Sequence, residues 1–230
     1  MAVKNKIIFV IDVLHGTSYH RLTIPSVSMA DAGYSVGGVQ SIEQLFYRKD
    51  LNEVAAVVFS RFAVVSSHQN LRKWFDKLGI KMIVDLDDRW ELDGDKKNFR
   101  EYNEMSRPFI EKSLKIADIV WCASKYLANR VSKAFNIPKE RVFYIPNGIN
   151  PLINGWETEE QPRGEKPVFG YIAAIGHDND LQPLKGLFNE QQMITMRFEG
   201  GEIAGHLDYA SFLGTAAVGI PPLPLHEYGN

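Results

Sequence analysis

The strongest constraint on this chain's fold is a rhythm. Short apolar runs rich in β-branched residues, at 7–11, 35–39, 54–59, 81–86, 118–122 and 142–145, recur with helix-like stretches between them. Runs this short and this continuously apolar are strands buried on both faces, as in a parallel sheet covered by helices on either side. The intervening stretches carry helix punctuation. Ser66 or Ser67 can cap a helix that stops at Gly79, and Ser124 can open another that runs to about Phe135, with Pro138 soon after. Between Asn98 and Ala117 the residues Phe99, Tyr102, Met105, Phe109, Ile110 and Leu114 recur at steps of three and four, which predicts one long amphipathic helix kinked at Pro108. The pattern reads as a doubly wound, Rossmann-like α/β domain over residues 1–150.

Residues 151–166 are rich in Gly, Pro and acidic side chains and lack periodicity, so they read as a linker. Strand-like runs then return at 168–175, 194–198 and 216–220. They predict that residues 167–230 open a second Rossmann-like domain with too few elements to complete it. Its uncovered edges and apolar surface predict self-association.

Composition narrows the function classes. A net charge of -2 provides no basic excess to neutralise a phosphate backbone, which excludes nucleic acid as the expected partner. Cys122 is the only cysteine and sits in an apolar run, so no internal disulfide or cysteine metal cluster is possible. The apolar run near the N-terminus is about eight residues long and is interrupted by Asp12, far below the roughly 20 that span a bilayer. A cytoplasmic location is expected.

Three places carry candidate chemistry. Asp85, Asp87 and Asp88 end the fourth strand, at the sheet edge where open α/β sheets bind ligands, and carboxylates this close repel unless a cation or a ligand hydroxyl compensates. Asp87 and Asp88 are the candidate catalytic carboxylates. Asp85, Arg89 and Trp90 are candidate acceptor contacts, the indole offering a flat face to a sugar's C–H face. Gly16, after the first strand, lets backbone approach a diphosphate at a helix N-terminus, with His20 and Arg21 facing the crevice. No Gly-rich dinucleotide fingerprint accompanies it. Pro146, Asn147 and Gly148 form a turn after the sixth strand, in which Asn147 or Gly148 suits positive φ.

The Arg141 to Asn150 segment RVFYIPNGIN resembles the end of the first domain in glycosyltransferases that pair two Rossmann-like domains across a cleft, chiefly the retaining group called family four. HGTSYHRLTIPSVSMADAG, VDLDDRWEL and FGYIAAIGHDNDLQPL are similar to further segments of that family's phage and bacterial branch. The resemblance implies hexosyl transfer from a nucleotide-diphosphate sugar to a glycan, lipid or protein, with no cofactor and no catalytic metal. It implies donor contacts at Gly16, Arg21, Asn147, Gly148, Gly176, His177 and Asp178, with His177 standing where a stronger base is usual. The family's later basic residue and paired glutamates have no counterpart before Asn230, so the chain is expected to be cut short within its donor domain and weak in transfer by itself. Two other readings stay open. One is a non-catalytic sugar-binding or assembly module. The other is a haloacid-dehalogenase-like phosphohydrolase built on Asp85, Asp87, Ser124, Lys139, Asp178 and Asp180 with Mg²⁺.

Overall fold

The computed structural model describes residues 4–11, 16–61, 70–91, 97–148, 169–174, 193–198 and 218–219, and the chain divides into two compact units, Met1–Gly148 and Ile149–Asn230. In the first unit six strands form one sheet: β1 (Lys6–Val10), β2 (Val36–Val39), β3 (Val54–Phe59), β4 (Lys81–Leu86), β5 (Ile119–Cys122) and β6 (Val142–Tyr144). Their order is β2-β1-β3-β4-β5-β6 and every pairing is parallel. Each of the six strands expected within residues 1–150 forms, to within one residue at either end.

The period-two alternation of a strand splits the core into two layers. Ile8 and Val10, Val57 and Phe59, Met82, Val84 and Leu86, and Val120 and Cys122 point to one side. There they meet Ile42 and Leu45 of α3 (Ile42–Phe46), Leu71 and Phe75 of α4 (Leu71–Leu78), Ile110 and Leu114 of α6 (Arg107–Ile116), and Leu127 and Val131 of α7 (Lys125–Phe135). Phe9, Ala56, Val58 and Ile83 point to the other side, against Leu22 and Met29 of the segment that follows β1. Burying one such Leu, Ile or Phe stabilises the fold by about 1.5–3 kcal/mol.

That segment is a continuous helical run: α1 (Gly16–Ser18), a π-type turn (Tyr19–Thr23) and α2 (Ile24–Asp31). Pro25 explains the wide turn. It lacks an N–H and its ring would press on the carbonyl of residue 21 in a regular helix, so the ladder widens and the Ile24 N–H donates to the Tyr19 carbonyl five residues back. Proline also corrects the single long helix expected over residues 98–117. Two helices form instead, α5 (Lys97–Met105) and α6, broken at Ser106, because Pro108 has no N–H to continue the ladder and fits only the first turn of a new helix. Gly79 ends α4 in the left-handed region at φ 63°, as a C-terminal cap requires.

In the second unit β7 (Phe169–Ala174), β8 (Met193–Phe198) and β9 (Val218–Gly219) form a parallel sheet in the order β8-β7-β9. Ser66, Ser67, the linker at 151–166, Gly176, His177, Asp178 and Asp180 lie outside the described residues. Among the described residues no helix is long and apolar enough to cross a membrane.

Candidate functional site

The winding of the first sheet reverses between β1 and β3, and ligands of open α/β sheets bind at such a switch point, outside the C-terminal strand ends. Arg21, Arg61, Asp85, Asp87, Asp88 and Asn147 gather along that edge. Arg21 comes from the π-type turn after β1, Arg61 from just beyond β3, and the three aspartates from the end of β4. Asn147 comes from the turn after β6.

Arg21 and Asp85 form the buried centre of this edge, at 3% and 2% exposure. The Arg21 Nε donates to both Asp85 oxygens at 3.1 Å, and one terminal nitrogen donates to Oδ1 at 2.5 Å. The other terminal nitrogen donates to the Ile145 carbonyl and, at 3.2 Å, to Asn147 Oδ1. Burial pushes the Asp85 carboxyl up to about 6, against the opposing pull of the Arg21 hydrogen bonds and charge. With all three Arg21 nitrogens engaged, the pair acts as a clasp joining the helix after β1, the tip of β4 and the turn after β6. Arg21, expected to face a donor, and Asp85, expected to face an acceptor, are thus both buried and paired with each other. Neither Asn147 nor Gly148 takes positive φ, so the Pro-Asn-Gly turn is shaped by Arg21 holding the Ile145 carbonyl and the Asn147 side chain. A Cβ on Gly148 would meet nothing within 4 Å, so no tight backbone approach explains that glycine.

Asp87 and Asp88 are less enclosed. Asp87 accepts from Arg61 at 2.9 Å, with side-chain exposures of 15% and 24% for the acid and the base. Asp88 Oδ1 accepts the backbone N–H of Arg89 at 2.8 Å. Tyr102 of α5 lies within electrostatic reach of Arg61, Asp87 and Asp88, and burial raises the pKa of its phenol. Arg61 and Tyr102 were not singled out from the sequence. Arg61 was findable by pairing β3 with β4, because Phe59 sits opposite Val84 and the chain two residues on must pass beside the acidic turn. Tyr102 carried only a helix-stripe signal. Gly16 opens α1, so its backbone stands at a helix start on the β1 side, and His20 is half-buried against Tyr19 in an edge-to-face pair at 5.4 Å.

Trp90 and Arg89, expected as acceptor contacts, are both buried. Trp90 is 2% exposed and packs on Phe135 with ring centroids 4.9 Å apart, while Arg130 lies over the ring at 5.8 Å. An indole with both its surroundings filled is core, and it turns the chain out of the acidic turn toward α7. Arg89 is buried as well and reaches Glu91 at 3.5 Å.

Three features bear on phosphohydrolase chemistry. Asp85 is buried and its carboxylate accepts from Arg21. The Ser124 hydroxyl accepts the Leu127 N–H at 3.1 Å and caps α7. Among the described residues no group of three or more His, Cys, Asp or Glu side chains is placed to hold a metal ion.

What this edge offers a ligand is therefore two partly exposed carboxylates, Asp87 paired with Arg61 and Asp88 beside it, on a rim fixed from beneath by an ion pair. That arrangement accepts hydrogen bonds from hydroxyl groups and can draw a proton from one. Comparison with curated proteins finds no match for the chain. Residues 44–151, a stretch that runs from α3 through the acidic turn to the turn after β6, match the family model Glycosyltransferase Family 4, and this part of the chain is similar to the glycosyltransferases of that family.

Proposed function

We propose that the chain is a glycosyltransferase, or the acceptor-side portion of one, that moves a hexosyl group from a nucleotide-diphosphate sugar to a glycan, lipid or protein acceptor. The observation that carries this reading is the acidic turn: inside the stretch similar to Glycosyltransferase Family 4, Asp87 and Asp88 stand partly exposed at the C-terminal end of β4. In this role they accept hydrogen bonds from the acceptor's hydroxyls and orient the attacking oxygen on the face that the diphosphate leaves, and its proton passes to the departing diphosphate as the bond to the anomeric carbon forms, which keeps the anomeric configuration. Arg61 holds Asp87 in place. The donor's diphosphate falls to the backbone at Gly16, where a helix start stabilises departing negative charge without a metal, and the family resemblance adds Gly176, His177 and Asp178 as donor contacts. A two-domain, retaining transferase working in the cytoplasm is the form of the family that this reading adopts.

Saturation-transfer NMR of the purified chain against a panel of neutral oligosaccharides tests it. Binding that weakens in Asp87→Asn and Asp88→Asn and is indifferent to EDTA is the expected result. Mg²⁺-dependent hydrolysis of a generic phosphate ester that disappears in Asp85→Asn would overturn the proposal in favour of a phosphohydrolase.

A further inference from the structure

Outside the acidic edge, charge is distributed unevenly. The chain as a whole carries -2, yet between residues 107 and 133 six cations (Arg107, Lys112, Lys115, Lys125, Arg130 and Lys133) face two carboxylates, Glu111 and Asp118. Asp118 precedes β5, at the opposite edge of the sheet, where Arg72 at 2.5 Å and Lys81 at 3.2 Å already engage it. Glu111 is held by Arg107 at 2.6 Å. Helix α7 itself carries Lys125, Arg130 and Lys133 and no acid.

This surplus borders a cavity. A groove of about 580 Å³, within the size range of small-molecule sites, is lined by Glu91, Tyr126, Asn129, Arg130, Lys133 and Ala134. The five α7 residues are spaced three, one, three and one apart, which puts them on one side of the helix. Its opposite side is anchored by the buried Leu127 and Val131. Glu91 forms the facing wall and is outnumbered: Arg130 donates to it, and Arg89 and Arg107 approach it at 3.5 Å. The Arg130 guanidinium is further held against the Trp90 ring, so it is a fixed donor and not a wandering surface charge. Lys133 is exposed and has no ion-pair partner among the described residues. Tyr126 is 41% exposed and presents part of its ring beside these cations.

We propose that this groove binds a phosphorylated saccharide. A phosphate monoester takes the Lys133 ammonium as its charge-assisted donor, within the positive field of the Arg130 guanidinium that its bond to Glu91 holds at the groove. The sugar's C–H face packs on Tyr126, and its hydroxyls exchange hydrogen bonds with the Asn129 amide and the Glu91 carboxylate. A bare phosphate would fill a small fraction of the volume, and a flat membrane surface would not enter a groove, so the chemistry favours a ligand with both parts. The site is separate from the transfer chemistry proposed above. It is read by binding alone, so its failure and the failure of that reading are distinguishable.

The test titrates glucose 6-phosphate into the full 230-residue chain by calorimetry and by amide NMR, with glucose, inorganic phosphate and phosphatidylglycerol vesicles as separate arms. Glucose 6-phosphate is expected to bind at least about tenfold more tightly than glucose or inorganic phosphate, with shifts on α7, and to weaken about tenfold or more in Lys133→Glu. Lys133→Arg should retain binding. Lys49→Glu, which alters an exposed cation outside the groove, should leave it unchanged. The proposal is overturned by no binding of glucose 6-phosphate, by inorganic phosphate binding as tightly, by a Lys133→Glu variant that is folded by circular dichroism and binds as wild type, or by vesicle binding in place of sugar-phosphate binding.

Discussion

Replacing Arg21 by Met keeps most of the length of the side chain and removes the cation bonded to Asp85. In the wild type the Asp85 carboxyl titrates near 6, above its ordinary value of about 3.9, because burial disfavours the ion more than Arg21 restores it. Folding therefore takes up a proton between about pH 6 and pH 4. Over that window this group's contribution to stability rises as pH falls, by up to about 3 kcal/mol. Without Arg21 the carboxylate loses its partner, and Asp85 remains protonated in the folded state at all working pH values. Relative to wild type that costs roughly 1.4 kcal/mol for each pH unit above 6, or about 3 kcal/mol at pH 8 and close to nothing at pH 6. The lost hydrogen bonds to Ile145 and Asn147 add about 1–2 kcal/mol at either pH. The total at pH 8, about 4–5 kcal/mol, agrees with the usual cost of breaking a buried ion pair from one side. Urea unfolding at pH 8 and pH 6, followed by the fluorescence of Trp74, Trp90 and Trp121 in the first unit, measures both values. A penalty that is the same at the two pH values, or below about 1 kcal/mol at pH 8, would refute the reasoning.

Two further predictions concern the sheet's helices and its thiol. Ser124→Ala removes the hydroxyl that accepts the Leu127 N–H and should cost about 1 kcal/mol in the same unfolding assay, with Ser124→Asp restoring most of it. Cys122 is fully buried with its thiol pushed up to about 12, chiefly by burial, so iodoacetamide at pH 8 should leave it unmodified in the folded protein and alkylate it quickly in urea. Fast labelling under native conditions would mean that β5 is not sealed as described.

The local rules of the chain were enough to set the sheet. Continuous β-branched runs can be satisfied only where both faces are covered, and that is a property each segment carries alone, so strands β1 to β6 were legible before any contact was known. The caps at Ser124 and Gly79 were legible for the same reason: they satisfy backbone groups within a few residues of themselves. The break at Ser106 was half legible, since Pro108 announced a disturbance but could not say whether the helix would bend or restart.

What no local rule decides is which polar groups meet. The acidic turn was visible as three aspartates at a strand end, yet only strand order and the π-type turn bring Arg21 across 64 residues to Asp85 and leave Asp87 to Arg61. That division turns one carboxylate into a buried fastening and keeps Asp87 and Asp88 toward the rim. Trp90 shows the same limit from the apolar side. Beside the carboxylates in sequence it read as an acceptor contact, and in the fold it is buried against Phe135, because the burial of a large aromatic depends on what the fold sets opposite it. The Pro-Asn-Gly turn kept its place in the sequence reading but not its mechanism: its shape comes from a guanidinium 124 residues away in the chain, a bond that exists only once the sheet has assembled.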